Sequence, residues 1–144
     1  MLERMKRLVK ENDICVLATA ADNRPHCSLM AYACDDTGLE ILMATKRDST
    51  KYRNLTNNPS VSLLIDTRAE NPGKERSQTK ALTVAGRCEG VPLAAVSDGM
   101  KRLQERHPHL KDLLKEPDVA LFVVKAESFL LLEGVTEAHF ESVS

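Results

Sequence analysis

The sequence predicts a mainly β fold: a small antiparallel β-barrel, closed or split, with peripheral helices. About seven short apolar or alternating segments have the pattern of strands, and three or four have the pattern of helices. The first three predicted strands follow one another through short turns. This indicates an antiparallel meander, because parallel neighbours need longer crossovers. A sheet of many short antiparallel strands must protect its edges, and curling into a barrel does so.

Length and composition indicate one globular domain without an overall charge that would attract nucleic acid or membrane. The chain has 144 residues, predicted to form a single domain over residues 1–144, and a net charge of −1. Aromatic residues make up 3% and tryptophan is absent, which argues against a base-stacking surface. No apolar run reaches the roughly 18–20 residues of a membrane span, and the charged N-terminus lacks a signal-peptide segment. We therefore expect a cytoplasmic protein.

The four cysteines predict reduced, mostly structural thiols. They form no Cys-x-x-Cys pair, and three of them fall within predicted strands. A zinc site needs a tetrahedral set of cysteine and histidine ligands, and no local spacing offers one. We therefore expect no metal.

The first half of the chain predicts helices and strands in close succession. Apolar residues recur at helical spacing near the N-terminus. The segment ICVLATA that follows is apolar at nearly every position, so we expect both of its faces to be covered. Turn-forming residues cluster at 21–25 and 34–38. The predicted elements are a helix at 2–12, strands at 14–20, 26–33 and 39–44, a short helix ended by Asn57-Asn58-Pro59, and a strand at 61–65.

The second half begins with a polar loop at 66–80, whose length is uncommon unless it is functional or mobile. The next segment alternates apolar and polar residues, and Gly86 and Gly90 predict a bend or bulge in it. Pro92 opens a helical region, which His107-Pro108-His109 interrupts before a further short turn of helix. The predicted strands are 82–88, 119–124 and 129–132, the last two separated by Lys125-Ala126-Glu127.

The stretch from 39 to 66 contains a candidate phosphate site at the start of its short helix. Helix starts offer unpaired N–H groups and the positive end of the dipole, which favour an anion. Lys46, Arg47 and Arg53 lie near this turn. The alternative is a solvated surface helix capped by Asp48, whose carboxylate would compete for the same N–H groups. The residues that converge on the turn are Thr45, Ser49, Thr50 and Lys51.

Three segments, taken in order and spacing, carry a family resemblance. They read ATAADNRPHCSLMAY, ILMATKRDSTKYRNLTNNPSVSLLID and LTVAGRCEGV. This pattern resembles the pyridoxamine 5′-phosphate oxidase-like FMN-binding split-barrel proteins over residues 1–91. The tail at 107–138 is similar to that of members with an extra helix and a closing strand pair.

The resemblance implies a homodimer that holds FMN in a groove at the subunit interface. From the composition, we expect no nucleic acid or membrane as partner. The resemblance also implies which residues contact the cofactor. Those that match the family are His26, Cys27, Ser28 and Leu29 along the isoalloxazine ring, Ala44 and Thr45 beside the ribityl chain and phosphate, and Ser49, Thr50 and Lys51 at the phosphate.

Several departures from the family bear on charge and substrate. The oxidase has Arg at the position of Thr50, so one charge is missing, and Lys46 and Arg47 are candidate replacements. Its flavin-contacting Gln aligns with Ala81, and Gln78 lies nearby. The C-terminal Trp and Arg positions that hold flavin and pyridoxal phosphate in the oxidase are also missing. We therefore expect a relative with an unassigned substrate and not a vitamin B6 oxidase.

Individual side chains leave alternatives open. His26 would lie beside the flavin and tune its potential or orient a substrate, or else be an exposed strand residue. Cys27 is expected to be a small buried residue, with a redox-active thiol as the alternative. His107 and His109 are expected at the surface, with metal or haem ligation as the alternative.

Three functions follow from the resemblance. The first is a flavoenzyme that passes electrons between a reduced nicotinamide or similar donor and a small acceptor. The second is a flavin-binding or sensing module without turnover, and another flavin or a deazaflavin would suit either case. The third, haem binding or degradation, rests on the similarity of the tail to haem-handling split-barrel relatives.

Overall fold

The fold is one curled antiparallel sheet with helices around it. The structure, a computed structural model, describes residues 1–70 and 78–143. The strands of this part of the chain are β1 (Ile14–Ala21), β2 (Arg24–Ala31), β3 (Ala33–Cys34), β4 (Glu40–Lys46), β5 (Ser60–Asp66), β6 (Lys80–Gly90), β7 (Val119–Glu133) and β8 (Glu137–Ser142). Their order in the sheet is β2-β1-β5-β6-β7-β4-β3, and β8 pairs with the second half of β7.

The helices lie at the periphery, as predicted. Within residues 1–70 and 78–143, no helix is both long enough and apolar enough to cross a membrane. The first helix is amphipathic and buries Met5 and Val9 against the sheet. The helices are α1 (Leu2–Glu11), α2 (Thr50–Asn57), α3 (Leu93–Arg106) and α4 (Lys111–Leu114), with 3₁₀ turns at Arg68–Glu70 and Pro108–Leu110.

Two apolar cores hold these elements together. The main core covers one face of the sheet, where alternate strand residues such as Leu17, Leu63 and Val84 are fully buried. Burying one such side chain contributes about 1.5–3 kcal/mol, so the alternation of the sequence decides which face turns inward. A second core fills the space between α3, α4 and strands β4 and β7. Its members are Leu42, Ala44, Leu103, Leu114, Val119 and Leu121.

The barrel is split between β2 and β4. Among the strands described, β2 has only β1 as a neighbour, and the opposite end of the sheet is formed by β4 with the short β3. Residues 29–31 of β2 and 44–46 of β4 nevertheless line the same cavity. The two ends of the sheet therefore approach each other without pairing, and a cleft lies along the seam.

The predicted meander of the first three strands is wrong after the first pair. Strands β1 and β2 pair through a turn at Asp22 and Asn23, which have φ of 51° and 62°. The chain then leaves β2 at Tyr32, whose N–H donates to the carbonyl oxygen of Asp13 at 2.8 Å and whose hydroxyl donates to that of Val9 at 2.7 Å. Strand β4 consequently pairs with β3 and with β7, far from β2.

Two boundaries near the N-terminus also need correction. Arg24 and Pro25 were predicted in a turn but belong to β2, because the turn needs only two left-handed residues. Strand β1 is not covered equally on both faces: its inner residues are buried and its outer ones are half-buried or exposed. Residues 71–77 of the predicted polar loop lie outside the described residues.

The C-terminal strands differ from the prediction in number. The segments 119–124 and 129–132 form one continuous strand, β7, because β6 pairs with both of them across Ala126. The predicted irregularity at Gly86 is confirmed, since the register of β6 against β7 shifts between Ala85 and Gly86, but the extra residue, Glu127, lies on β7 and not on β6. Strand β8 was not predicted, because its sequence lacks a run of apolar residues.

Candidate functional site

The cleft along the seam is a cavity of about 350 Å³ that contains part of the predicted phosphate site. Five of its lining residues are polar and come from the end of β4 and the start of α2: Thr45, Lys46, Asp48, Ser49 and Lys51. Six are apolar and come from β2, β4 and the segment after α3: Leu29, Met30, Ala31, Ala44, Leu110 and Leu113. The cleft therefore combines a cationic helix start with an apolar lining.

The helix start is capped by Ser49 and not by Asp48. The Ser49 hydroxyl oxygen accepts from the N–H of Tyr52 at 3.2 Å and lies 2.8 Å from the carbonyl oxygen of Lys46, to which it donates. The buried Thr45 hydroxyl lies 3.2 Å from the hydroxyl oxygen of Ser49. The Tyr52 N–H is thus taken by the cap, and the N–H groups of Thr50 and Lys51, which lack partners within the helix, remain for a ligand.

The cations near this turn differ in what they contact. Lys51 is half-buried and lines the cleft together with Lys46. Arg47 donates instead to the carbonyl oxygen of Val119 at 2.9 Å, so its guanidinium fastens the turn to β7. Lys46 is therefore the better candidate to replace the charge that is missing at Thr50.

Thr50 itself is exposed and does not line the cleft. Its hydroxyl accepts from Arg53 at 3.3 Å, and the same guanidinium donates to the carbonyl oxygen of Asp48 at 3.1 Å. Arg53 thus closes the turn from its outer side.

Two asparagines hold α2 against β1 and fix the direction of its first turn. Asn54 donates to the hydroxyl of Thr19 at 3.0 Å, and Asn58 donates to the carbonyl oxygen of Ala20 at 3.1 Å. Leu55 between them is buried in the main core. The predicted helix end at residues 57–59 is confirmed, and Asn58 has this additional role in positioning the site.

The predicted ring contacts divide between the two faces of β2. His26 and Ser28 pair with the buried Thr19 and Leu17, which places them on the inner face, whereas Cys27 and Leu29 belong to the outer face. Of these four, only Leu29 lines the cleft. Cys27 is exposed, so its predicted burial is wrong. Of the nine predicted cofactor residues, the cleft brings together Leu29, Ala44, Thr45, Ser49 and Lys51.

The other three cysteines are poor nucleophiles. Burial raises the pKa of the Cys15 thiol to about 12 and that of Cys88 to about 11, with Glu89 adding to the second shift. Burial also raises the pKa of Cys34. All four cysteines are free thiols in the structure.

His107 is buried, which corrects its predicted surface position. Its side chain is 4% exposed, and Nε2 lies 2.8 Å from the carbonyl oxygen of Tyr32. His109 is exposed as predicted. Sequence reasoning also missed Leu110 and Leu113 as lining residues. Their apolar spacing indicated a turn of helix, but nothing in it indicated that this turn would lie beside β2.

A cluster at the β7–β8 hairpin has the composition of a metal site but is held by an arginine. Ligand atoms of Glu133, Glu137 and His139 lie within 4.8 Å of one another. Arg4 of α1 donates to Glu133 at 2.9 Å, and this bond holds the pKa of the carboxyl below its ordinary value. We therefore interpret the cluster as an ion-pair network that joins α1 to the hairpin.

A curled antiparallel sheet with peripheral helices and a cleft at its open seam defines the split-barrel class of proteins. The family model for pyridoxamine 5′-phosphate oxidase matches residues 1–139, and the chain belongs to this family. The resemblance found in the sequence and the predicted split barrel are both confirmed. No curated protein matches the chain.

Solved structures with the same fold have different ligands in their descriptions. A heme-binding protein from Mycobacterium smegmatis superposes with a TM-score of 0.83 at 17% identity, over 98% of this chain and 57% of that one. The heme storage protein HutZ from Vibrio cholerae superposes with a TM-score of 0.73 at 23% identity, over 87% of this chain and 89% of that one. A FAD-binding protein from Mesorhizobium loti superposes with a TM-score of 0.73 at 19% identity, over 90% of this chain and 91% of that one. At these identities the likeness establishes the fold alone.

Proposed function

We propose that this protein is a flavoprotein that binds FMN in the cleft between β2 and β4. The observation that carries the proposal is the convergence of Lys51, the Ser49-capped start of α2 and the edge strand β2 on one cavity. An ammonium group and free N–H groups at a helix start suit a phosphate. The Thr45 and Ser49 hydroxyls offer further hydrogen bonds to it.

The ring would lie along β2. Because β2 is an edge strand in the described sheet, part of its backbone donors and acceptors have no strand partner. The pyrimidine edge of a flavin alternates donors and acceptors, and an edge strand can pair with it. The cleft is lined by residues 29–31 of β2, and the strand reaches His26, Cys27 and Ser28 only outside the cleft. Their predicted contacts therefore require the ring to extend beyond the cleft of one protomer.

Binding can be tested by absorbance. After incubation with FMN and desalting, the protein is expected to retain a flavin spectrum, and titration should quench the fluorescence of FMN more strongly than that of riboflavin, which lacks the phosphate. Loss of all flavin on desalting, together with no quenching in the titration, would contradict the proposal.

We also propose a homodimer, because one row of residues across six strands of the outer face is apolar at five of its six positions. Cross-strand pairing forms one row from β2 to β8, and Leu29, Leu130 and Phe140 in it are 75%, 37% and 65% exposed. An apolar face of this extent on a protomer marks an interface. The row consists of Leu29, Val16, Leu64, Thr83, Leu130 and Phe140.

Phe140→Glu is expected to convert the dimer into monomers, because it places a charge in this apolar face. Light scattering of the eluting protein measures the mass. Leu93→Glu is the matched control: Leu93 is 91% exposed on α3, outside the row, and its substitution should leave the dimer intact. A flavin-loaded wild-type monomer would rule out the interface.

The reaction that fits this site is electron transfer. A bound flavin would supply the redox chemistry, and the residues of the chain would bind its phosphate, fix the ring along β2 and shape the space beside it. Anaerobic mixing with NADPH or NADH is expected to bleach the flavin band. If neither donor bleaches it, a flavin-binding or sensing role replaces the enzymatic one.

Haem is the second candidate ligand. It is supported by the heme-binding proteins among structures of this fold and by the exposed His109, which directly precedes a residue of the cleft and has the side chain of an axial ligand. A Soret band in place of flavin bands would favour haem. Loss of that band in His109→Ala would identify His109 as the axial ligand of the haem iron.

A further inference from the structure

We propose that the segment from Pro108 to Leu114 forms the apolar wall of the cleft, and that Leu110 and Leu113 contact the ring system of the bound ligand. This proposal rests on the proposed function. Both leucines line the same cleft as the helix start, although they follow Lys51 by about 60 residues in the sequence. Their presence means that the cleft is not simply an anion site.

The wall packs against the second core, which fixes its position. Leu110 and Leu113 are half-buried and pack against a cluster that includes Leu103, Leu114 and Ala44. Ala44 belongs both to this cluster and to the cleft lining. The leucines are therefore fixed in position, with part of each side chain left to face the cavity.

His107 positions the wall relative to β2. Its ring bonds to the carbonyl oxygen of Tyr32, the residue at which the chain leaves β2. Its own carbonyl oxygen accepts from the N–H of Leu110 at 2.9 Å, and its N–H donates to the carbonyl oxygen of Leu103. One buried side chain thus connects the end of β2 to the segment that carries the wall, so the width of the cleft depends on it.

This arrangement specifies the chemistry of the ligand. Lys51 and Ser49 recognise a phosphate, while Leu29, Leu110 and Leu113 recognise an apolar ring. The two contributions involve different residues, so they can be separated by ligands that carry one part or both. Riboflavin has the ring without phosphate, and FMN has both.

The wall is tested by measuring the dissociation constants of riboflavin and FMN for Leu113→Ser and for the double variant with Leu110→Ser. Removing a leucine contact from an aromatic ring is expected to weaken both ligands by roughly tenfold, and by the same factor, because the phosphate is not involved. Lys51→Ala should weaken FMN and leave riboflavin unchanged. Leu93→Ser, at an exposed site on α3, is the control and should change neither.

The positioning role of His107 is tested by rescue. His107→Leu removes the hydrogen bond to Tyr32 and should lower flavin affinity and alter the visible circular dichroism of the bound ring. His107→Gln, whose amide can donate to the same carbonyl oxygen, should restore both. If the two variants differ only in the midpoint of urea unfolding, with identical flavin spectra, His107 has a purely structural role.

The outcomes separate the wall from the site. Leu113→Ser and the double variant could bind both flavins as tightly as the wild type while Lys51→Ala loses FMN. In that case the proposed ring contacts of Leu110 and Leu113 are wrong, and the proposed phosphate site is retained. If the wild type binds neither flavin, the proposed function itself fails.

Discussion

Lys51→Ala is expected to weaken FMN binding by about 1–3 kcal/mol, which corresponds to roughly 5–150-fold in the dissociation constant. Lys51 is half-buried in the lining of the cleft, beside the hydroxyls of Ser49 and Thr45. Its ammonium group would make a charge-assisted contact to the phosphate that no water molecule replaces fully. Isothermal titration with FMN measures the change.

Two comparisons make this test specific. Lys51→Arg keeps the charge and should retain most of the affinity, although the larger fork changes the geometry. Lys101→Ala removes an exposed lysine of α3 that does not line the cleft, and FMN affinity should not change. Equal FMN affinity in Lys51→Ala and the wild type would remove Lys51 from the site.

Gly86→Ala is expected to destabilise the fold by about 1–3 kcal/mol, because there is no room for a Cβ on β6 opposite the bulge of β7. A methyl group there would meet the backbone carbonyl oxygen of Lys125 and lie 2.9 Å from Cγ1 of Val124. The nearest atom belongs to the backbone of β7, so relief requires movement of two paired strands. Urea unfolding followed by circular dichroism gives the difference in the free energy of unfolding.

The matched control is Gly90→Ala at the end of the same strand. A Cβ at Gly90 meets no heavy atom within 4 Å, so this substitution should be neutral or slightly stabilising. If both variants unfold at the same urea concentration, the close approach of β6 and β7 at the bulge is not a constraint on the fold.

Local patterns predicted most of the individual elements and the polar residues that line the cleft. The amphipathic α1, the stop at residues 57–59, the helix after Pro92 and the irregularity at Gly86 each follow from spacing or from one residue type. The hydroxyl-rich turn before α2 was visible for the same reason. Its cap was assigned one residue too early, because Asp48 and Ser49 are both good caps and only backbone geometry distinguishes them.

Contacts between distant segments were not visible in these patterns. The strand that follows the turn at residues 34–38 was expected beside its predecessor, but it pairs with β7, about 80 residues later. His107 was expected at the surface because a His-Pro-His sequence at a helix break is usually exposed. It is buried where it bonds to the carbonyl oxygen of Tyr32, which directly follows β2 in a different part of the chain.

By itself, the sequence predicted a split-barrel relative and a candidate phosphate site at the helix start of residues 49–51, because periodicity, capping and motif order are properties of neighbouring residues. Only the tertiary structure decided that this helix start and β2 line one cleft at the open seam, together with Leu110 and Leu113. The physical reason is that strand partners are chosen by the apolar faces they bury together, and those faces come from residues far apart in the chain.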